Sequence, residues 1–458
     1  MDQLGPHSAN NNPLSPLGFI ERTAIVHGDR TSVVYNQQVY TWSETYHRCL
    51  RLASALSSHL RISPGEVVSV ISPNIPAMYE MHFGVPMSGA VLNTINTRLD
   101  SRTISLLLHH SGCRILFVDL LSLPLARSAL ELLPADHRPP LLIPIEDPFE
   151  DNCDLTGFDL TYEKLIDLGD PYFRWIRPKS EWSPMILNYK SGTTSAPKGV
   201  VHCHRGIFLV STDSLIDWCV PDHPVFLWTL PMFNANGWCF PWAVAAVAGT
   251  NVCLRRFDGP AVFLAIAKNR VTHLCGAPVV LNMLANSPPT ANRSLHGTVK
   301  ILTAGTPPPA AVLARVESLG FSVSHGFGLT ETAGVVLSCA WKGYHWDQLP
   351  AGRRAGKRAM MKARQGVRTL MMTTMDVVDE ATARSVPWDG LTIGEVVMRG
   401  GHVMLGYLKD KEATAKVIKD GWFYTGHVGV MHRDGYLEIK DRAKDVFIML
   451  KIKKIKLD

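Results

Sequence analysis

The chain has 458 residues, of which 46% are hydrophobic and 19% charged, and a formal net charge of +6. That length and apolar content supply a large core in one or two domains and exclude a disordered chain. The positive balance sits partly in residues 353–364 (RRAGKRAMMKAR) and partly in the terminal KIKKIKLD. Neither stretch interleaves aromatics and no zinc-finger or RNP pattern occurs, so a solvated charged face is preferred to nucleic-acid binding.

In chain order, the polar, proline-bearing start MDQLGPHSANNNPLSPL lacks the basic residues and apolar core of a secretory signal. Thr41-Trp-Ser-Glu44 is a capping box. It opens a helix that carries Tyr46, Cys49, Leu50, Ala53, Leu56 and Leu60 at helical spacing. Ser63-Pro64-Gly65 turns the chain into a strand over 67–71. Asp100 caps a helix through SLLLHH, and 114–119 (RILFVD) is the next strand. Residues 120–180, rich in Pro, Asp and Leu, read as a domain boundary, and 340–375 as a second.

MILNY reads as a strand that leads into a Ser/Thr/Gly loop and then a helix. Residues 224–254 carry no charged side chain, long enough to span a bilayer. Pro231, Asn234, Asn236, Gly237 and Pro241 interrupt them, which favours a buried strand, loop and helix over a membrane span. VFLWTL, NVCLR, VTHLCG and VKILTAG are short β-rich runs separated by helical segments. The alternation implies an α/β fold with parallel sheets covered on both faces.

Nine cysteines are scattered singly, without a Cys-x-x-Cys pair, as in a reducing compartment rather than a disulfide frame. His202 and His204 are one residue apart and share no helix face, which disfavours a metal site with Cys203.

The densest chemical signal is LNYKSGTTSAPKGVVHCHRG (187–206). It is not a Walker loop, because Lys198 precedes its glycine and Pro197 stands where the second glycine belongs. Its glycines let the backbone curl around an anion. The hydroxyls of Ser191, Thr193, Thr194 and Ser195, together with Gly192 and Lys198, suit the β- and γ-phosphates of ATP. In SHGFGLTETAG (324–334), the aromatic ring of Phe327 can stack on adenine, the hydroxyl of Thr330 can reach the α-phosphate and the carboxylate of Glu331 can hold Mg2+.

With GEVVMRGGHVMLGYLKD (394–410) and DGWFYTGHVGVMHRDGYLEIKDRAKD (420–445) following in order, the chain resembles the adenylate-forming, acyl-activating superfamily. NIPAMYEMHFGVPMSGAVLNTINTRLD, PMFNANGWCFPW and ARQGV bring it nearest the plant acyl-activating enzymes and the short- and medium-chain or benzoate-type CoA ligases. The resemblance covers about residue 13 to about residue 448 and rests on five ordered motifs. It implies a large α/β N-terminal domain (1–440) of stacked mixed and parallel sheets. A hinge and the remnant of a C-terminal lid (441–458) would follow.

It also implies activation of a fatty or aromatic carboxylic acid by MgATP to acyl-AMP, then transfer to coenzyme A, in the cytosol or the peroxisome. By position, Lys198, Thr330 and Glu331 are catalytic, with Glu331 positioning the metal. Ser191 to Ser195, Gly305, Thr306, Phe327, Gly328, His427 and Arg442 bind ATP, Arg442 at the ribose. Asn234, Asn236, Gly237, Trp238, Ala277 and Pro278 line the acyl pocket, to which the Gly305-Thr306-Pro307 turn also contributes. Lys444 marks the hinge.

The sequence departs from the family at several points. Lys190 replaces a usual threonine, Asn234 a histidine and Thr306 an alanine. His427 replaces the aspartate that accepts both ribose hydroxyls. A neutral imidazole offers one acceptor, so nucleotide binding is expected to weaken by about 1.5–3 kcal/mol. Past the hinge the chain reads VFIMLKIKKIKLD, where the family has a glycine-rich loop and a lid of about a hundred residues. Losing the lid's lysine is expected to cost about 10²–10³ in rate. The alternative reading is a non-catalytic nucleotide- or acid-binding paralogue, or a truncated gene product.

Overall fold

The computed structural model describes residues 4–150, 155–190, 197–288, 295–306, 308–339, 361 and 364–442, the last by its backbone alone. The chain forms two compact units, Met1–Thr212 with Pro231–Arg255, and Asp213–Leu230 with Arg256–Asp458.

In the first unit six strands line up in the order Lys198–Cys203, Pro184–Lys190, Val91–Thr94, Val67–Ile71, Ile115–Asp119 and Leu141–Ile145. All neighbours are parallel except the first two, which form an antiparallel pair. Val67–Ile71 and Ile115–Asp119 are buried at every position, as apolar runs covered on both faces should be. Helix Pro76–Met87 is buried along its whole length, and Pro76 stands at its start, where the missing N–H costs nothing.

The expected caps are in place. Thr41 Oγ1 accepts from the Glu44 N–H, and Glu44 Oε2 accepts from the Thr41 N–H. Asp100 Oδ1 accepts from Thr103 at 2.8 Å, and that helix ends on Gly112 at φ 65°.

Two expectations are corrected. Residues 120–180 are not a boundary but lie wholly within the first unit. Leu141–Ile145 pairs in parallel with Ile115–Asp119, and helix Tyr162–Leu168 packs on helix Trp42–Ser54. The Pro- and Asp-rich composition belongs to loops around those elements. The Ser/Thr/Gly loop is followed by a strand, not directly by a helix: Lys198–Cys203 returns antiparallel before helix His204–Asp217 begins. Val200 and Val201 supply the β-branched signal for that strand.

His82 is buried on helix Pro76–Met87, with Nδ1 against Met78 O at 2.7 Å and its ring 5.3 Å from Trp242. Burial pushes it down to about 4 from 6.5. The unfolded chain therefore takes up this proton first. Stability from His82 is complete above pH 6.5 and is lost as pH falls toward 4. A His82→Gln chain should show a urea stability that falls less steeply between pH 6.5 and 4.5, by up to about 1.4 kcal/mol per pH unit. An unchanged slope would contradict this.

In the second unit a sheet runs Val225–Trp228, His273–Gly276, Val299–Thr303, Phe321–Gly328, Val335–Ser338 and Val367–Arg368. The first four strands are parallel and the last two antiparallel. A separate antiparallel sheet joins Thr374–Val378, Gly394–Arg399, Trp422–Met431, Ile418–Lys419 and Leu437–Arg442.

Candidate active site

In the second unit, three neighbouring parallel strands deliver predicted residues at their carboxyl ends, where open α/β sheets bind ligands. His273–Gly276 ends at Ala277 and Pro278, the start of helix Pro278–Ala285. Val299–Thr303 leads to Gly305, at φ 107°, and to the exposed Thr306. Phe321–Gly328 ends on Phe327 and Gly328 and passes into the short 3-10 turn Thr330–Thr332. A Cβ on Gly328 would sit 2.0 Å from Gly334 O, so only glycine lets the chain fold back this tightly.

Glu331 is 2% exposed. The hydroxyl of Tyr407 donates to its Oε1 at 2.6 Å, and the Met404 N–H donates to its backbone carbonyl at 2.8 Å. The 400–407 segment thus holds the carboxylate in place. Burial, then the charge of Glu331, raises the Tyr407 phenol far above its ordinary range, so it remains a donor. Sequence reasoning quoted Tyr407 inside a motif but gave it no role, because the partners are 76 residues apart.

The Phe327 ring meets His427 edge-on, with centroids 5.2 Å apart. His427 lies on strand Trp422–Met431, opposite Arg442 in register. Its Nδ1 is 3.2 Å from Thr425 O. If that nitrogen donates, Nε2 is the single acceptor expected of a neutral imidazole.

In the first unit, Ser191, Gly192, Thr193, Thr194 and Ser195 lie outside the described residues, as do Pro307 and Lys444 in the second. At the loop's neck, Lys190 and Lys198 stand directly opposite each other across the antiparallel pair. Asn236, Gly237 and Trp238 are buried and Asn234 is exposed. The side-chain amide of Asn236 accepts from Asn188 Nδ2 at 2.5 Å. Two clefts of about 300 and 570 Å³ open elsewhere in the first unit, and neither is lined by a predicted residue.

A carboxylate oxygen held like that of Glu331 is the hard donor that Mg2+ takes, with phosphate oxygens and water completing its shell. The residues therefore fit the metal that the resemblance implies.

A family model described as AMP-binding enzyme matches residues 20–408. The 2-methylpropanoate–CoA ligase CCL4 of Humulus lupulus is 61% identical over 452 residues, covering 98% of this chain and 80% of that protein. The probable acyl-activating enzyme 5, peroxisomal, of Arabidopsis thaliana is 60% identical over 454 residues, with the same coverage. Among solved structures, the inhibitor-bound N-terminal domain of FACL13 from Mycobacterium tuberculosis superposes with a TM-score of 0.80 at 24% identity, over 94% of this chain and 100% of that one. The anthranilate CoA ligase AuaEII with anthranoyl-AMP gives 0.79 at 21% identity, over 96% and 80%. At these identities the structures speak for the fold.

Proposed function

Because the chain belongs to the AMP-binding enzyme family, as an AMP-forming acyl-CoA synthetase, we propose that it activates a fatty or aromatic carboxylic acid in two steps. A carboxylate oxygen attacks the α-phosphorus of ATP, the bond to the β-phosphate bridging oxygen breaks, and acyl-AMP and pyrophosphate form. The thiol of coenzyme A then attacks the acyl carbon and AMP leaves, its proton passing to solvent.

The observation that carries the reading is the oriented carboxylate of Glu331, in the turn that directly follows a parallel strand ending on Phe327 and Gly328. Mg2+ supplies charge neutralisation on the phosphates, and Glu331 is the residue that would hold it. Lys190 and Lys198, at the neck of the loop from Ser191 to Ser195, draw in the outer phosphates. Phe327 stacks on adenine, Thr330 touches the α-phosphate, and Arg442 and His427 meet the ribose. Lys444 belongs to the hinge. Asn234, Asn236, Gly237, Trp238, Ala277 and Pro278 shape the acyl pocket. The reaction takes place in the cytosol or the peroxisome.

His427 favours a second reading, a chain that binds nucleotide weakly and turns over slowly or not at all. His427→Asp should tighten ATP binding roughly ten- to a hundredfold in a calorimetric titration, the equivalent of about 1.5–3 kcal/mol. Unchanged affinity removes His427 from the ribose site. Mass spectrometry of reactions with MgATP, coenzyme A and a panel of acids decides between the two readings. Acyl-AMP and acyl-CoA support the synthetase. ATP binding with neither product supports the second reading.

A further inference from the structure

Five consecutive residues of the first unit have positive φ: Ala235 (41°), Asn236 (44°), Gly237 (52°), Trp238 (52°) and Cys239 (65°). With ψ of 51° at Asn236 and 36° at Gly237, the segment is a turn of left-handed helix. Left-handed residues normally occur singly, because the Cβ crowds the following carbonyl. Gly237 escapes that penalty and Asn236 bears it lightly, but Ala235, Trp238 and Cys239 do not. Strain of this kind persists where the surroundings over-determine it, and it gathers at ligand sites.

The surroundings here are specific. The Gly237 N–H donates to Asn234 O and the Cys239 N–H to Asn236 O, each at 3.0 Å, closing the turn on itself. Asn188 Nδ2 donates to Asn236 Oδ1 at 2.5 Å. Thr94 Oγ1 lies 3.2 Å from Asn188 Oδ1 and 3.1 Å from Phe233 O. Ahead of the turn, the Met232 N–H donates to Asn74 Oδ1 at 2.8 Å. Thr94, Asn188 and Asn236 are all buried. Asn236 Nδ2 is buried without a hydrogen-bond partner, so the amide is not placed there for its own satisfaction. Thr94 and Asn188 lie on neighbouring parallel strands, which are stiff supports.

We infer that the relay Thr94–Asn188–Asn236 is a specificity device: it pins the left-handed turn so that Trp238 is a fixed wall of the acid pocket, and thereby limits the length of the acid accepted. This rests on the acid-activating reading above. Thr94 and Asn188 are positioning residues and need not touch substrate; Asn236, one of the pocket residues above, joins them to the turn. A rigid wall excludes by size. A wall freed from its anchor yields, and the preference between short and long acids narrows.

The test compares butanoate with octanoate in wild type, Asn188→Ala, Thr94→Val and the double variant Asn188→Ala/Asn236→Gly. Both kcat/KM and nucleotide-free binding by calorimetry are read. Asn188→Ala should narrow the butanoate-to-octanoate ratio about tenfold, with KM for MgATP unchanged. Thr94→Val, the milder lesion, should narrow it less. Adding Asn236→Gly should restore part of the ratio, because glycine holds positive φ without the anchor. A ratio within twofold of wild type in both Asn188→Ala and Thr94→Val overturns the inference, whatever happens to thermal stability. An equal loss for both acids also overturns it, since that is a general structural effect. If the wild type binds and ranks acids without forming adenylate, and Asn188→Ala loses the ranking, the activation reading fails and the relay stands. A wild type that binds neither acid overturns both.

Discussion

Replacing Glu331 with glutamine should lower acid-dependent pyrophosphate release by about 10²–10³ while the chain stays folded. Glutamine keeps the volume and an oxygen that can accept from the Tyr407 hydroxyl at the 2.6 Å position, and the Met404 contact is to backbone. What disappears is the negative charge. In a site 2% exposed that charge acts in a low dielectric, so it is worth far more there than at the surface. Removing a buried charge leaves no uncompensated ion, which is why the melting temperature should hardly move. Tyr407→Phe keeps the charge but frees its orientation, so it should cost less activity and weaken magnesium dependence. Steady-state pyrophosphate release across a magnesium titration, with thermal melts beside it, separates the cases. Activity of the glutamine chain within threefold of wild type would remove Glu331 from the chemistry.

The largest stability effect is expected at Arg48. Its Nε donates to Glu80 Oε1 at 2.7 Å and its Nη2 to Glu80 Oε2 at 3.1 Å. Tyr162 adds a third donor to the same carboxylate at 2.7 Å. Glu80 is fully buried, and burial raises its carboxyl above the ordinary range despite the opposing guanidinium. Arg48→Ala strands that carboxylate and should destabilise the first unit by about 3–5 kcal/mol in urea at pH 7.5. The sign of the pH dependence follows from the raised value. Glu80 holds its proton more tightly folded than unfolded, so its unfavourable contribution grows as pH rises through the folded value and fades toward acid. The gap between wild type and variant should therefore narrow as pH is lowered. Arg48→Met with Glu80→Leu should recover much of the loss. A single variant within 1 kcal/mol of wild type would show that the pair is solvated.

Local signals in the sequence were sufficient for local structure. The Thr41 box, the Asp100 cap and the strands at 67–71 and 115–119 follow from neighbours within a few residues. The antiparallel pairing of Pro184–Lys190 with Lys198–Cys203 is not legible locally, because pairing depends on residues elsewhere in the sheet. The site divides the same way. Phe327, Thr330 and Glu331 declare themselves by residue type in one short stretch. Tyr407 and Asn188 do not, since their roles exist only once distant segments meet. The left-handed turn is equally hidden, because Ala-Asn-Gly-Trp-Cys contains one glycine, yet all five residues adopt positive φ. Of the residues predicted for the outer phosphates, Lys198 has a described position and Ser191 to Ser195 do not.

The most direct measurement is exchange of labelled pyrophosphate into ATP in the presence of magnesium and a panel of carboxylic acids, without coenzyme A. It reads reversible formation of acyl-AMP and nothing later. The account predicts exchange that requires an acid and is lost in the Glu331→Gln chain. Exchange at the same rate without any acid, or none with any acid while ATP is demonstrably bound, would contradict it.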